Sequence, residues 1–259
     1  MLSGKVLTRW RGQRLFELAG ILAFGGAIAT LVGRVVREAD DAADWFWVTA
    51  GSVLGYLLAD FMSGFVHWAG DTLGDENTPI MGKTFIGPFR DHHIDPKGIT
   101  RHDFIETNGN NCIASLPFLA LVWLFFPAPG SAGLFAITMV TSGALFTFGT
   151  NQFHKWAHAD AAPRAVRALQ RWGLILAPSH HGVHHTVPYD RYYCITVGWL
   201  NEPLRRLRFF EAMEWLVRVM KPDLLHRERK KLAALGLVPA DEPEAPGAMP
   251  LPDDGPSSR

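Results

Sequence analysis

Four long stretches of this chain are apolar and almost uncharged, and they constrain its fold more than any other feature. They run from 15 to 32, 45 to 66, 112 to 126 and 132 to 153, and the charged residues within them are Glu17 and Asp60. A helix rises about 1.5 Å per residue and a bilayer core is about 30 Å thick, so the first, second and fourth stretches can cross a membrane. Buried helices of a soluble protein could explain one such stretch, but four in 259 residues favour an integral membrane protein.

The third stretch is ambiguous by length. It is 15 residues long, contains Pro117 and stops at Pro127. A segment of this length suits a re-entrant or buried position as well as a short tilted span.

The distribution of basic residues favours a third stretch that crosses the membrane. If all four stretches span, 23 of the 25 Lys and Arg residues lie on one side, and only Arg34 and Arg37 lie on the other. An excess of basic residues marks the cytoplasmic side of a membrane protein. The sequence therefore predicts that the N-terminus, the C-terminus and the long polar segments are cytoplasmic.

The histidines support the same number of spans. All 11 fall on the basic side if the third stretch crosses. If it does not cross, His154 and every later histidine lie across the membrane from His67, His92 and His93. We therefore predict an all-α, integral membrane four-helix transmembrane bundle with spans at 15–33, 45–66, 112–127 and 132–153. Its His-rich cytoplasmic helices would lie in 67–111 and 154–203.

The remaining segments are predicted to lie on the membrane surface or to be disordered. In 164–176 the apolar residues Val166, Leu169, Trp172 and Leu176 recur at helical spacing between arginines, and 204–220 is similar. This pattern is typical of amphipathic interfacial helices. Residues 1–238 would form one membrane domain, and the Pro-rich tail 239–259 is predicted to be disordered. Because 25 basic residues balance 25 acidic ones, we expect no nucleic-acid partner.

A dense group of histidines predicts a metal site. The stretch SHHGVHHTVPYD, residues 179–190, has four histidines in six positions. Imidazole is the commonest protein metal ligand, and rings this close would repel one another if they were protonated. In NQFHKWAH, His154 and His158 are four residues apart, so both rings project from one face of a helix.

Two carboxylates share a helical face with one histidine. Asp60, His67 and Asp71 are separated by seven and four residues. We expect Asp60 and Asp71 to orient His67 and other ligands, because ionisable residues inside a span are costly and usually functional. For Asp60, a hydrogen bond between helices is the alternative interpretation.

The number of histidines indicates the metal. A zinc site needs three or four ligands, whereas eight or more imidazoles with nearby carboxylates can hold two six-coordinate ions that leave positions open for oxygen. A haem would use two of the rings. Two iron ions fit best. The predicted ligands are His67, His92, His93, His154, His158, His181, His184 and His185, with His102 and His180 as additional ligands or as groups that support ligands.

The membrane position of the site indicates its substrate. A metal centre at the cytoplasmic ends of the spans can receive a lipid chain, whose C–H bonds yield to an iron–oxygen oxidant and not to an acid or base. This predicts an O2-dependent lipid desaturase or hydroxylase. Arg90 and Arg101 flank predicted ligands and are candidates for the phosphate of the lipid headgroup. Their charge could alternatively serve the topology alone.

Four blocks of sequence resemble the Kua/CarF-type lipid desaturase family. They are HWAGDTLG, FRDHHIDPKGITRHDFIETNGNN, NQFHKWAH and HHGVHHTVPYDRYYCITVGWLN, within about 60–203. The resemblance implies insertion of the vinyl ether double bond of plasmalogens into an ether phospholipid such as plasmanylethanolamine. It also implies O2 and an external electron donor, a cytochrome b5-like or ferredoxin-like protein. The family's two histidine boxes fall on His154 to His158 and His181 to His185.

Two other functions remain open at this point. A plant member of the family desaturates an acyl chain of phosphatidylglycerol, so an acyl-lipid desaturase is the near alternative. A non-enzymatic membrane protein that binds metal and acts in signalling is the third. The segment LAPSHHGVHH departs from the family, whose animal members carry basic residues there, and this difference bears on contact with the headgroup or the electron donor.

Overall fold

About three quarters of the described residues of the chain are helical. The computed structural model describes residues 11–126, 130–221 and 224–225; the predicted disordered tail, 239–259, lies outside them. The helices are α1 (Arg11–Glu38), α2 (Ala42–Thr72), α3 (Gly87–Ile94), α4 (Phe104–Phe125), α5 (Ser131–His158), α6 (Arg164–Arg171), α7 (Pro178–His184), α8 (Asn201–Arg206) and α9 (Phe209–Met220). A π-helical turn, Gly82–Ile86, leads into α3, and a 3-10 turn, Gly98–Arg101, precedes α4. The all-α prediction is confirmed for the described part of the chain.

Three of these helices are long and apolar enough to cross a membrane, namely α1, α2 and α5. The chain is therefore a membrane protein. The segment around the short third stretch forms α4, a helix of 22 residues that contains Pro117 and packs against α1 and α5. Its N-terminus is capped by Asp103, whose carboxylate accepts a hydrogen bond from the backbone N–H of Glu106 at 3.0 Å.

Small residues let α2 and α5 pack very closely. A Cβ atom on Gly55 would lie 2.8 Å from the backbone nitrogen of Gly143, so only glycine fits at this contact. Close approach through small residues is a common way to join membrane helices, because lipid supplies no hydrophobic force that drives them together. The contact brings the C-terminal ends of α2 and α5 side by side.

A non-helical segment, residues 193–200, lies along α2, and we call it the return segment. Several of its polar groups bond to α2: Ile195 donates its backbone N–H to Ser63 Oγ at 3.0 Å, and the Thr196 side chain donates from Oγ1 to the carbonyl of Ala59 at 3.3 Å. A Cβ atom on Gly64 would overlap Cys194, so a glycine is needed where the return segment crosses α2. Irregular backbone beside a membrane helix is tolerated when the protein satisfies its polar groups in this way.

Asp60 holds the far end of the return segment. Its carboxylate is fully buried and accepts backbone N–H bonds from Val197 at 2.9 Å, Gly198 at 2.8 Å and Leu200 at 3.1 Å. His67 is absent from the hydrogen bonds of Asp60 to described residues. The sequence-based expectation that Asp60 orients His67 thus gives way to its alternative, a hydrogen-bonding anchor between two elements.

The apolar residues of the amphipathic segment 164–176 are only partly covered by the protein. Val166 and Leu176 are buried in the protein, whereas Trp172, a third residue of the predicted apolar face, is 72% exposed. The arginine face is the one that points outward, with Arg164, Arg167 and Arg171 all exposed.

The second amphipathic segment, 204–220, is divided between the protein and its surroundings. Phe210 is buried in α9 and its ring lies 6.0 Å from that of Trp68. Trp215 and Met220 of the same helix are exposed. One side of α9 therefore covers the end of α2, and the other side is available to the membrane.

Candidate metal centre

Four helices bring nine ligand side chains to one place at the end of the α2 and α5 pair. The last turns of α2 and α5 each contribute two residues four positions apart, which therefore project from one helix face. The short helix α3 and the helix α7 with its following residue supply the rest. The nine residues are His67, Asp71, His92, His93, His154, His158, His181, His184 and His185.

The nine residues form two separate groups. Within each group, one ligand atom from every residue lies within 4.8 Å of all the others. We call them the first ligand group and the second ligand group. The first ligand group is His92, His154, His158, His181 and His185, and the second is His67, Asp71, His93 and His184.

The nitrogen atoms of the first ligand group are arranged as they would be around a cation. Nε2 of His181 lies 2.8 Å from Nε2 of His154, 2.8 Å from that of His158 and 3.0 Å from that of His185. A neutral ring nitrogen has one hydrogen or one lone pair, so it cannot make three such hydrogen bonds at once. Metal–nitrogen bonds of about 2.1 Å at right angles put nitrogen atoms about 3.0 Å apart. The arrangement therefore fits a metal ion.

A carboxylate lies at the middle of the second ligand group. Oδ2 of Asp71 is 3.5 Å from Nε2 of His67, of His93 and of His184. The structure thus places Asp71 among the ligand atoms, whereas the sequence predicted a group that orients a ligand from behind. A carboxylate with three imidazoles suits a divalent transition metal and lowers the net charge of the bound ion.

The two ligand groups are direct neighbours. The rings of His184 and His185, which follow each other in sequence, are 5.5 Å apart and belong to different groups. His92 and His93 are divided in the same way, with ring centres 6.3 Å apart. Each adjacent pair therefore links the two groups.

Residues 56–222 match the lipid desaturase domain family. The chain belongs to this family. It is 49% identical over 204 residues to plasmanylethanolamine desaturase of Myxococcus xanthus, covering 79% of this chain and 72% of that one. Plasmanylethanolamine desaturase 1 of Mus musculus is 46% identical over 182 residues, which are 66% of this chain and 65% of the mouse protein. Fatty acid desaturase 4 of Arabidopsis thaliana is 38% identical over 162 residues, which are 62% and 48% of the two chains. No solved structure matches the chain.

Backbone carbonyls orient two histidines of the second ligand group in this desaturase. Nδ1 of His67 lies 3.1 Å from the carbonyl oxygen of Tyr193, and Nδ1 of His184 lies 2.8 Å from that of Arg191. A ring whose Nδ1–H donates to a carbonyl keeps the lone pair of Nε2 for a metal. Nothing in the sequence indicated the roles of Tyr193 and Arg191, because every residue has a backbone carbonyl and the side chain does not reveal its use.

Four ligand histidines of the desaturase have lowered pKa values and are therefore held neutral. Burial, with a further contribution from His158 and other imidazoles, lowers the pKa of His92 to about 2. Burial lowers the pKa of His185 to about 4, and it holds the pKa values of His181 and His184 well below the usual range. Neutral imidazole is the form that binds metal, so no proton has to leave before an ion is bound near neutral pH.

Two of the predicted ligands lie outside both ligand groups. His102 has a side chain that is 48% exposed, and its Nδ1 is 3.9 Å from a carboxylate oxygen of Glu106. His180 stacks on Tyr192, with ring centres 4.9 Å apart, and its Nε2 lies 2.9 Å from Nδ2 of Asn201. His180 therefore supports the chain around the return segment.

The two predicted headgroup residues have partners within the protein. Arg90 is buried, and its Nη2 donates to the carbonyls of Leu73 and Gly74 at 3.1 Å each. Arg101 is exposed and donates to Asp95 at 2.5 Å. Arg101 thus lies at the surface with an acidic partner, whereas Arg90 stabilises the turn after α2.

An apolar cleft of about 460 Å³ opens beside α5, but it does not reach the ligands. Its lining includes Gly149 and Trp156 of α5 and Phe104 of α4. Gly149 and His154 are five residues apart, which is about 140° around a helix. The cleft therefore lies on the side of α5 that faces away from the metal centre, and the lipid chain of the substrate needs another path.

Proposed function

We propose that this chain is a membrane-bound, O2-dependent desaturase that introduces the vinyl ether double bond into the alkyl chain of an ether phospholipid. The product of plasmanylethanolamine would be plasmenylethanolamine, so the reaction is a step of plasmalogen synthesis. The observation that carries the proposal is the pair of neighbouring ligand groups at the ends of apolar helices. The bacterial and mouse relatives named plasmanylethanolamine desaturase support the choice of substrate.

The proposed cofactor is a pair of iron ions, one in each ligand group. Five imidazoles in the first ligand group and three imidazoles with Asp71 in the second leave room for a further ligand in six-coordinate geometry. When bound, the irons supply the oxidising power to remove hydrogen from an unactivated C–H bond. Overall, two hydrogens of the alkyl chain, two electrons from a donor and two protons reduce one O2 to two water molecules.

The protein's own part in this reaction is to hold and insulate the centre. Tyr193 and Arg191 fix the rings of His67 and His184 through their carbonyls. The buried positions of His181 and His184 exclude water from one side of the centre. His92, His93, His158 and His185 are partly exposed, so a substrate can approach the centre on the side of these four rings.

The proposed topology has four spans, with both termini and the metal centre in the cytoplasm. Its support is the excess of Lys and Arg on one side and the length of α4, whose 22 residues rise about 33 Å. With α4 crossing, α3 and the ends of α2 and α5 all lie on one side of the membrane. The electrons would come from a separate cytochrome b5-like or ferredoxin-like protein, and the phospholipid would arrive from within the membrane.

An acyl-lipid desaturase is the second candidate, because the chain is also 38% identical to the Arabidopsis protein named fatty acid desaturase 4. The two functions differ in the bond that they form. A vinyl ether is cleaved by mild acid, whereas a double bond within an acyl chain is stable to acid.

Expression in a host that contains alkyl ether phospholipids but lacks plasmalogens tests the proposal. Mass spectrometry should then detect ethanolamine lipids that are two hydrogens lighter and acid-labile, and the His158→Ala variant should form about a tenth of the wild-type amount or less. Acid-stable unsaturation would instead support the acyl-lipid function. Absence of any new double bond in cells whose protein carries two irons would refute both and favour a metal-binding signalling protein.

A further inference from the structure

Three apolar side chains form an exposed cluster away from the metal centre. Trp172, Leu174 and Trp199 are 72%, 42% and 48% exposed. The turn after α6 and the return segment hold them together, since Nε1 of Trp199 donates to the carbonyl of Gly173 at 2.8 Å. We call these three residues the apolar cluster.

A contact with α2 fixes the depth of the apolar cluster. The hydroxyl of Tyr56 donates to the carbonyl of Leu174 at 2.5 Å, and its ring lies 5.4 Å from that of Trp199. Tyr56 lies within the apolar stretch of α2, 11 residues before His67, which is about 16 Å along the helix. The apolar cluster therefore lies deeper towards the membrane than the ligands do, at a level where tryptophan commonly meets lipid.

Three arginines lie on the helix that leads into the apolar cluster. Arg164, Arg167 and Arg171 are spaced three and four residues apart, so they share one face of α6, and all three are exposed. No ion pair joins any of them to a residue that the structure describes. Other surface cations do have such partners, for example Lys97 with Asp160 and Arg205 with Glu202.

We propose that the arginine face of α6 and the apolar cluster together bind anionic phospholipids of the surrounding bilayer, at a surface separate from the metal centre. A guanidinium binds phosphate oxygens in a bidentate manner, and each basic residue near an anionic membrane adds to its attraction. The apolar cluster would enter the outer part of the hydrocarbon layer while the arginines remain among the headgroups. An acidic protein partner fits less well, because it would not reach side chains at the depth of Tyr56.

Native mass spectrometry of the detergent-purified protein tests this surface with two lipid probes, dioleoylphosphatidylglycerol and dioleoylphosphatidylcholine. We expect the wild-type chain to retain phosphatidylglycerol in preference to phosphatidylcholine. In an Arg167→Gln, Arg171→Gln variant, this preference should be reduced about tenfold or more. The matched control is Arg205→Gln, Arg206→Gln, which removes the same charge from arginines that already contact Glu202. Equal phosphatidylglycerol retention in the wild-type protein and the α6 variant would overturn the proposal. Weaker binding of an electron donor by the α6 variant would not rescue it.

The apolar cluster has a test of its own in vesicles of three parts phosphatidylcholine to one part phosphatidylglycerol. Lipids brominated near the headgroup should quench less tryptophan fluorescence in a Trp172→Phe variant than in the wild-type chain. Metal content shows whether each variant is folded, because neither substitution touches a ligand. Quenching that is unchanged by Trp172→Phe in a metal-loaded protein would place Trp172 outside the lipid and contradict the proposed surface.

Discussion

Nδ1 of His67 lies 3.1 Å from the carbonyl oxygen of Tyr193, 126 positions later in the chain. A ligand on the second helix is thus oriented by the start of the return segment. The return segment in turn lies against α2 because Gly64 has no side chain and because Asp60 binds its far end. Metal binding and the packing of this segment are therefore linked.

We expect a Gly64→Ala substitution to weaken both metal binding and the packing of the return segment. The added Cβ would overlap Cys194 and push the return segment away from α2, at a cost of about 1–3 kcal/mol, typical of overpacking. The unfolding temperature and the metal content of this variant should both fall. Gly26→Ala on α1 is the matched control, because nothing lies within 4 Å of a Cβ there and alanine is the better helix former. A Gly64→Ala protein as stable and as metal-rich as wild type would contradict the linkage.

Single ligand substitutions should separate the two ligand groups. His158→Ala removes a member of the first group and His93→Ala a member of the second, so each should lose about one metal ion per chain. Activity should fall about 10-fold or more in both, since even residues behind the ligands have effects of this size. His102→Ala is the control, because His102 lies outside both groups, and its metal content should stay at the wild-type level. Full turnover by His158→Ala would refute the assignment.

Asp71 and Asp60 should respond differently to replacement by asparagine. Asp71→Asn removes a negative charge 3.5 Å from three ring nitrogens, so the second ligand group should lose its metal. Asp60→Asn puts an amide N–H against the N–H of Leu200, which should lower stability by roughly 1–3 kcal/mol while the metal remains bound. Elemental analysis and thermal unfolding of the two variants measure this contrast. Equal metal loss in both would show that Asp60 also acts on the ligands.

The sequence predicted the helical class and the residues that meet at the centre, because both depend on local patterns. Apolar stretches predict helices, and pairs such as His154 and His158 predict a shared helix face. The division into two groups could not be predicted, since adjacent residues such as His184 and His185 point to different groups only after α7 is packed. The periodicity of 164–176 indicated an apolar face, but it could not show that the protein itself covers Val166 and Leu176, because periodicity does not reveal what packs against a face.

The metal-free protein should lose stability as the pH falls. The pKa values of His92 and His185 are lowered to about 2 and about 4, whereas a histidine of an unfolded chain has a pKa of about 6.5. Between these values the unfolded chain binds more protons than the folded one, so the free energy of unfolding decreases as the pH falls from about 6.5 towards 4. The unfolding temperature of the metal-free protein should be nearly constant above about pH 7.5 and should decrease below about pH 6.5. A constant value down to about pH 5 would show that these rings are not held neutral.

Replacing the two loop arginines by lysine should separate headgroup contact from structure. Arg101→Lys keeps the charge but loses the bidentate fork, so we expect a higher KM for the lipid with an unchanged kcat. Lysine is shorter than arginine and reaches the carbonyls of Leu73 and Gly74 less well, so Arg90→Lys should lower the unfolding temperature. Kinetics in membranes with equal amounts of protein measure the first effect. If the KM of Arg101→Lys is unchanged, the remaining role of Arg101 is to supply a positive charge that sets the membrane topology.

The route of the return segment also determines when the metal centre can be assembled. Ribosomes release α2 and α5 before residues 181–200, so a chain that has already placed its apolar helices in the membrane still lacks ligands of both groups. The centre closes only when the last of these residues folds back onto α2. We therefore expect metal loading to be a late step of biogenesis, in which a metal-delivery system meets a membrane-inserted, metal-free chain with an open centre.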